Sequence, residues 1–241
     1  MSDNDKFRFR FKQFGINDSE CAMKIGTDGV LLGAWTNIEQ SHNILDVGSG
    51  SGLISLMIAQ RSSASITGIE IDKCAAKQSI ENINDSPWSN RISIINSDFI
   101  KWASISHNIN KFDHIVSNPP FFNNGPISTF QSRAIARHNN SLGYEQLIKL
   151  SKRLLTDDGK LSIISPIERK DDIIFYSELE QMFISRLTNV YSKEGGKITR
   201  ILWEFSKIKC ATEYASLSIR NINNSFSQEY VNLTTEFYLN F

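Results

Sequence analysis

Residues Asn43-Ile44-Leu45-Asp46-Val47-Gly48-Ser49-Gly50-Ser51-Gly52 decide the fold. A short apolar strand runs into a glycine-rich turn, and Leu53 to Gln60 then reads as a helix. Glycines let the backbone turn tightly and approach a ligand closely. The helix N-terminus offers unsatisfied N–H groups to a carboxylate or phosphate. The spacing is G-x-G-x-G, not the G-x-G-x-x-G of dinucleotide enzymes. Any tight strand-to-helix turn can carry glycines, so the turn alone does not define a ligand. Ser65-Ile66-Thr67-Gly68-Ile69-Glu70 adds a second strand that ends in an acid. An acid about twenty residues beyond such a turn accepts hydrogen bonds from ribose hydroxyls. Asp46, Gly48, Gly50, Gly52 and Glu70 are therefore candidates for a nucleoside-binding half.

The complementary half is Asn118-Pro119-Pro120-Phe121, directly after the apolar run Phe112 to Ser117. Two successive prolines hold the backbone extended and nearly rigid. They carry no N–H, so the corner is rich in acceptors and poor in donors. A planar group bearing an NH2 fits it: the Asn118 side-chain oxygen and a backbone carbonyl take the two hydrogens, and Phe121 stacks on the face.

From Asn43 onward strands and helices alternate. Strands are predicted near 43–47, 65–70, 91–95, 112–117 and 158–165, and helices near 52–60, 72–84, 143–155 and 168–185. The alternation implies an α/β fold with a parallel sheet covered on both faces. Segments 187–193 and 199–209, around Glu194-Gly195-Gly196-Lys197, read as a C-terminal antiparallel hairpin. The tail beyond 220 reads as a last strand or a docked segment. Upstream, residues 1–42 form an extension to the main domain of 43–241. In it Phe7, Phe9 and Phe11 alternate with Arg8, Arg10 and Lys12, which is strand periodicity. Its basic face either protects an edge or contacts phosphates. Thr27 or Asp28 is expected to cap a helix running to about Thr36. The segment 122–140 carries Arg133, Arg137 and His138, and its length and position mark it as a substrate clamp.

The 241 residues suit one α/β domain with a small appendage. Lys plus Arg equals Asp plus Glu at 26 each, so any nucleic-acid contact must come from local clusters. Three scattered cysteines make neither a disulfide framework nor a zinc pattern, and no metal is expected. No signal peptide is seen, and no stretch reaches the roughly 18 apolar residues of a membrane span. A cytoplasmic protein is expected.

Together the glycine turn, Glu70 and Asn118-Pro119-Pro120-Phe121 resemble the S-adenosylmethionine-dependent amino-methyltransferases. F-K-Q-F at 11–14, M-K-I-G-T-D-G-V-L-L-G-A-W at 23–35, L-D-V-G-S-G-S-G at 45–52, N-P-P-F-F at 118–122 and A-R-H at 136–138 are similar to the bacterial tRNA(Val) adenine-N6 methyltransferases. The resemblance implies a class I methyltransferase (Rossmann-like) sheet with S-adenosylmethionine as cofactor. It implies that Lys24, Gly26, Thr27 and Asp28 flank the methionine end of the cofactor, Glu70 its ribose and Asp98 its adenine. It implies the anticodon arm of a tRNA as partner. Arg8, Arg10, Lys12, Arg133, Arg137 and His138 are the candidate substrate contacts, and a monomer is expected.

An adenine amino group is a poor nucleophile because its lone pair is delocalised into the ring. Acceptors at Asn118 Oδ1 and the Pro119 carbonyl favour a pyramidal nitrogen. Guanine-N2 methylation of ribosomal RNA and glutamine methylation of a release factor use the same type of corner. The first calls for a duplicated N-terminal domain and the second for a helical one, and the 42 residues before Asn43 supply neither. A nicotinamide oxidoreductase fails on the glycine spacing. A non-catalytic RNA-binding module leaves the cofactor half without a role.

Overall fold

The computed structural model describes residues 7–105, 108–120 and 142–240. The strands are β1 (Phe9–Arg10), β2 (Gly15–Ile16), β3 (Asn43–Val47), β4 (Ser65–Glu70), β5 (Ile92–Asn96), β6 (Phe112–Ser117), β7 (Leu155–Pro166), β8 (Phe183–Lys193), β9 (Ile198–Ser206) and β10 (Glu213–Arg220). The α-helices are α1 (Thr27–Trp35), α2 (Leu53–Arg61), α3 (Lys73–Asn84), α4 (Phe99–Ala103), α5 (Tyr144–Leu154), α6 (Lys170–Leu179) and α7 (Gln228–Thr234).

Among the described residues, eight strands form one sheet in the order β10-β8-β9-β7-β6-β3-β4-β5. β3 to β7 run parallel, whereas β9 is antiparallel to both β7 and β8. The mostly parallel α/β sheet with a C-terminal hairpin is the expected class I arrangement. Strand order reverses between β3, which leads to β4 and β5, and β6, which leads to β7. In such sheets a crevice opens at that point, beyond the carboxyl ends of the strands.

Local sequence explains the elements around the crevice. In β3, Ile44, Leu45 and Val47 are buried, as befits a strand covered on both faces. In α2, Leu56, Met57 and Ile58 are fully enclosed, each worth about 1.5–3 kcal/mol of burial. α3 begins where the Asp72 side chain accepts from the Ala75 amide, an N-cap. α5 buries Leu147, Ile148, Ser151 and Leu154 at helical spacing. One apolar layer joins α1, α2 and the tail, with Phe11, Ile16, Leu31, Met57, Tyr230 and Phe237 in a single cluster. The other joins α4, α5 and α6 to the opposite face around Phe112, Leu147, Trp203 and Phe205.

Four expectations are corrected. The helix expected over 168–185 is a 3-10 turn at Ile167–Arg169 followed by α6, which stops at Leu179. Gln181 takes a positive φ of 53°, and the chain enters β8 at Phe183, four residues before the expected strand. The helix N-cap is Gly26, with no side-chain cap, because the helix starts at Thr27 and both Thr27 and Asp28 already lie in its first turn. The ribbon of 7–14 does not run as one strand: only Phe9 and Arg10 pair, with Ile16 and Gly15, and the chain turns at 11–14. There Phe11 and Phe14 stack at 4.7 Å, and Phe14 meets Trp88 at 5.9 Å. The edge strand β10, parallel to β8, was not foreseen, because Glu213 to Ser216 are exposed and carry no apolar signal. The tail is docked: Ser227 caps α7 by accepting from the Tyr230 amide, and Tyr230 and Phe237 are buried.

Candidate active site

A cleft of about 1110 Å³ lies over the carboxyl ends of the parallel strands. Each strand delivers its last residues to it: β3 the turn Gly48 to Ser51, β4 Glu70, β5 Ser97 and Asp98, and β6 Asn118 to Pro120. Cys21 to Gly29, ahead of β3, close another side.

In the turn, Gly48, Gly50 and Gly52 have φ of 74°, 54° and 83°, the left-handed region that favours glycine. A Cβ on Gly48 would meet nothing within 4 Å, and one on Gly50 only the Gly48 carbonyl at 4.0 Å. The space over these two residues belongs to the cleft. Gly52 differs: it caps α2 and does not line the cleft, and a Cβ there would lie 2.6 Å from Ser79 Oγ. The Glu70 carboxylate accepts from the Gly50 amide through Oε2 and from the Asp72 amide through Oε1, both at 2.8 Å. Asp98 caps α4, with Oδ1 3.1 Å from the Lys101 amide.

Asp46 is placed behind the turn, fully buried, rather than on the cleft. Its Oδ2 accepts from the Ser55 hydroxyl at 2.7 Å, so it braces α2 beneath the glycines. Burial raises its pKa to about 6, against the Ser55 hydrogen bonds and with the Glu70 charge adding. Lys24 lines the cleft, but its Nζ donates to the carbonyls of Asp18 at 2.7 Å and Ser19 at 2.9 Å. Gly26 and Thr27 line it too. Asp28 pairs through Oδ2 with Arg200 Nε at 2.9 Å.

At the corner, the Ser117 hydroxyl donates to the Val47 carbonyl at 2.8 Å and ties the ends of β6 and β3 together. Asn118 Nδ2 lies 4.0 Å from Met23 Sδ. Asn118 Oδ1 is buried and has no hydrogen-bond partner among the described residues. A buried acceptor left unsatisfied costs roughly 1–3 kcal/mol, and this one belongs to a residue of the cleft lining. Pro119 is buried and Pro120 exposed. Phe121, Arg133, Arg137 and His138 lie outside the described residues.

The basic residues of the ribbon are not brought to the cleft. Arg8 pairs with Asp18 at 3.2 Å, Arg10 lies over the Phe7 ring at 5.6 Å, and Lys12 donates to the Thr235 carbonyl at 2.6 Å. Phe9 and Phe11 pack on Tyr238, so the ribbon faces the tail. Other cleft residues carry no sequence signal of a site. Met23 opens the M-K-I-G-T-D segment. Ile71 and Ile100 are exposed apolar side chains beside Glu70 and Asp98. Arg200 sits in β9, far from any motif. Cys21 also lines the cleft, and its thiol is pushed up to about 11, chiefly by burial and then by Asp18 and Glu70. Among the described residues there is no group of three His, Cys, Asp or Glu side chains able to hold a metal, and no helix long and apolar enough to cross a membrane.

Residues 20–198 match the methyltransferase small domain family. A tRNA1(Val) (adenine(37)-N6)-methyltransferase of Bacteroides fragilis is 42% identical over 231 residues, covering 96% of this chain and 97% of that one. The protein of the same description from Shewanella loihica is 41% identical over 239 residues, 96% and 98% of the two chains. Two solved structures share the fold at low identity. A predicted O-methyltransferase of Agrobacterium tumefaciens has a TM-score of 0.71 at 18% identity, covering 87% of this chain and 96% of that one. A ribosomal protein L11 methylase of Lactobacillus delbrueckii subsp. bulgaricus has a TM-score of 0.56 at 16% identity, covering 80% and 84%. The chain belongs to the methyltransferase small domain family and, within it, to the family of the tRNA1(Val) (adenine(37)-N6)-methyltransferases.

Proposed function

We propose that this protein transfers a methyl group from S-adenosylmethionine to the exocyclic N6 of adenine 37 in the anticodon loop of tRNA1(Val). The observation that carries the reading is the buried Oδ1 of Asn118, which has no hydrogen-bond partner among the described residues, in the lining of a cleft built on a glycine turn. The residues present fit the cofactor. Gly48 and Gly50 leave open space where any side chain would intrude. Glu70 offers a carboxylate to a ribose, Asp98 to an adenine amino group, and Ile71 and Ile100 supply apolar faces. Thr27 and the backbone of Lys24 to Gly26 would flank the methionine end. The bound cofactor supplies an electrophilic methyl group on a sulfonium.

The work of the chain is positional. Asn118 Oδ1 and the Pro119 carbonyl take the two hydrogens of the target amine, drawing its lone pair out of conjugation and toward the cofactor side of the cleft. Holding reactants in line can supply roughly 7–11 kcal/mol of the barrier in well-aligned cases. No strong base is needed before attack, because the nitrogen becomes acidic as the new bond forms. The target base must leave its stack, and an anticodon-loop purine does so at lower cost than one in a duplex. A cytoplasmic setting suits such a substrate.

The test is methylation of tRNA1(Val) transcripts with S-adenosylmethionine, followed by mass mapping of the product nucleoside. N6-methyladenosine at position 37 and no incorporation into an adenine-37-to-guanine transcript are expected. Equal methylation of the guanine variant, or of a glutamine-containing release-factor peptide in place of tRNA, rejects the reading.

A further inference from the structure

Among the described residues two cationic side chains line the cleft, Lys24 and Arg200. The Lys24 ammonium is held by two backbone carbonyls of the strap before α1. Arg200 is placed differently. It stands in β9 opposite Pro166, the last residue of β7, so the antiparallel register carries it beyond the level of Ser117 to the rim above the Asn118 corner. Its Nε donates to Asp28 Oδ2 at 2.9 Å, its Nη1 to the Thr199 carbonyl at 2.9 Å, and its side chain keeps 33% exposure. Asp28 precedes Gly29, whose Cβ position lies 4.0 Å from Asn118 Nδ2. One ion pair and one residue step therefore join Arg200 to the proposed methyl-transfer corner. At the opposite end of the cleft stand the carboxylates Glu70, Asp72 and Asp98.

The segment that leads into α5 also reaches the cleft. Tyr144, at the first turn of α5, has a buried hydroxyl with no hydrogen-bond partner among the described residues. Burial raises its pKa, and the charges of Arg169, Arg200, Asp172 and Asp28 act on it. It stays a neutral phenol and does not itself line the cleft. Leu142, two residues before it, lines the cleft.

We propose that Arg200, oriented by Asp28, binds a backbone phosphate next to the methylated nucleotide and so positions the RNA. The proposal rests on the tRNA reading above. A guanidinium fork matches phosphate geometry and gives charge-assisted hydrogen bonds. Arg200 is a positioning residue rather than a catalytic one, since no reacting atom touches it.

The experiment compares wild type, Arg200→Ala, Arg200→Lys and Asp28→Asn on the tRNA1(Val) anticodon stem-loop across a salt series, with cofactor affinity and melting temperature measured alongside. Arg200→Ala should raise the KM for RNA about tenfold, leave kcat within about threefold and flatten the slope of log(kcat/KM) against log[salt] by about one. Arg200→Lys keeps the charge and should keep the slope. Asp28→Asn breaks the ion pair but leaves the cation, so its slope should also stay. A purely structural clamp predicts instead that Asp28→Asn and Arg200→Ala behave alike, with the slope unmoved. Should Arg200→Ala not fold, wild type on stem-loops carrying single neutral methylphosphonate linkages decides. One linkage beside the target should impair wild type about as much as the substitution would, while leaving Arg200→Lys less sensitive to it. No sensitive linkage, or an unchanged salt slope in a folded Arg200→Ala, overturns the proposal. A wild type that binds cofactor yet methylates no tRNA overturns the tRNA reading and this proposal with it.

Discussion

Glu70 Oε2 lies 2.8 Å from the amide nitrogen of Gly50, so the acid that ends the second parallel strand reaches across to the glycine turn that ends the first. Its other oxygen holds the Asp72 amide at the same distance, which sets the start of α3. One carboxylate thus fixes two loops around the cleft and still offers lone pairs to a ligand.

Removing that carboxylate should weaken S-adenosylmethionine binding. A hydrogen bond to a charged group is worth roughly 1.5–3 kcal/mol, so Glu70→Ala should lose that much affinity by titration calorimetry. Unchanged affinity in a folded variant would remove the ribose assignment.

Asn118→Ala addresses the other half. Asn118 Oδ1 has no partner to lose among the described residues, so stability should hold or rise slightly. Turnover should fall by about two orders of magnitude or more, since the acceptor matters chiefly as the nitrogen pyramidalises. Single-turnover kinetics alongside cofactor titration separate the two effects, and near wild-type turnover would refute the corner mechanism.

His114 predicts an acid-sensitive core. The imidazole is buried in β6, with Nε2 2.9 Å from Ser162 Oγ, and faces Glu204 and Lys160. Burial pulls its pKa from 6.5 down to about 4. Between those values the unfolded chain takes a proton that the folded chain refuses, so stability is lost as pH falls from about 6.5 toward 4. Asp46 works oppositely. Its pKa is raised to about 6, so the folded chain takes that proton first and gains stability as pH falls below 6. The wild-type slope is therefore a difference of two effects, and a His114→Gln variant isolates one. It should lose about 1–2 kcal/mol less than wild type between pH 7 and pH 5. Urea denaturation at the two pH values measures this, and parallel losses would show that His114 does not titrate in that window.

Gly33 predicts a packing limit. In α1 it faces α2, and a Cβ there would sit 2.8 Å from Met57 Sδ and 3.1 Å from Met57 Cβ. The sulfur can swing away but the Cβ cannot without moving the helix. Gly33→Val should cost about 1–3 kcal/mol, the range for overpacking. A thermal melt equal to wild type would mean that α1 shifts freely.

The sequence by itself determined the layer class, the glycine turn, the acid after the second strand and the Asn118 corner. Each is a local pattern, in which residues a few positions apart fix a turn, a cap or a strand end. It also carried the hairpin, whose strands flank Glu194 to Lys197. What only the tertiary structure decided is where side chains of equal chemistry end up. Asp46 and Glu70 both stand near the carboxyl ends of parallel strands, yet one is buried under α2 and the other opens on the cleft. Lys24 and Arg200 are both cations of the cleft lining, yet the first is held by the carbonyls of Asp18 and Ser19 and the second by Asp28 and the Thr199 carbonyl. The arginines of the N-terminal ribbon had the stronger sequence signal, but their aromatic neighbours dock on Tyr238 and carry them elsewhere. Arg200 reaches the site through hydrogen-bond register between β7 and β9, thirty-four residues apart at Pro166 and Arg200. Register over that span is set by which faces can be buried together, and no pattern within either strand encodes it.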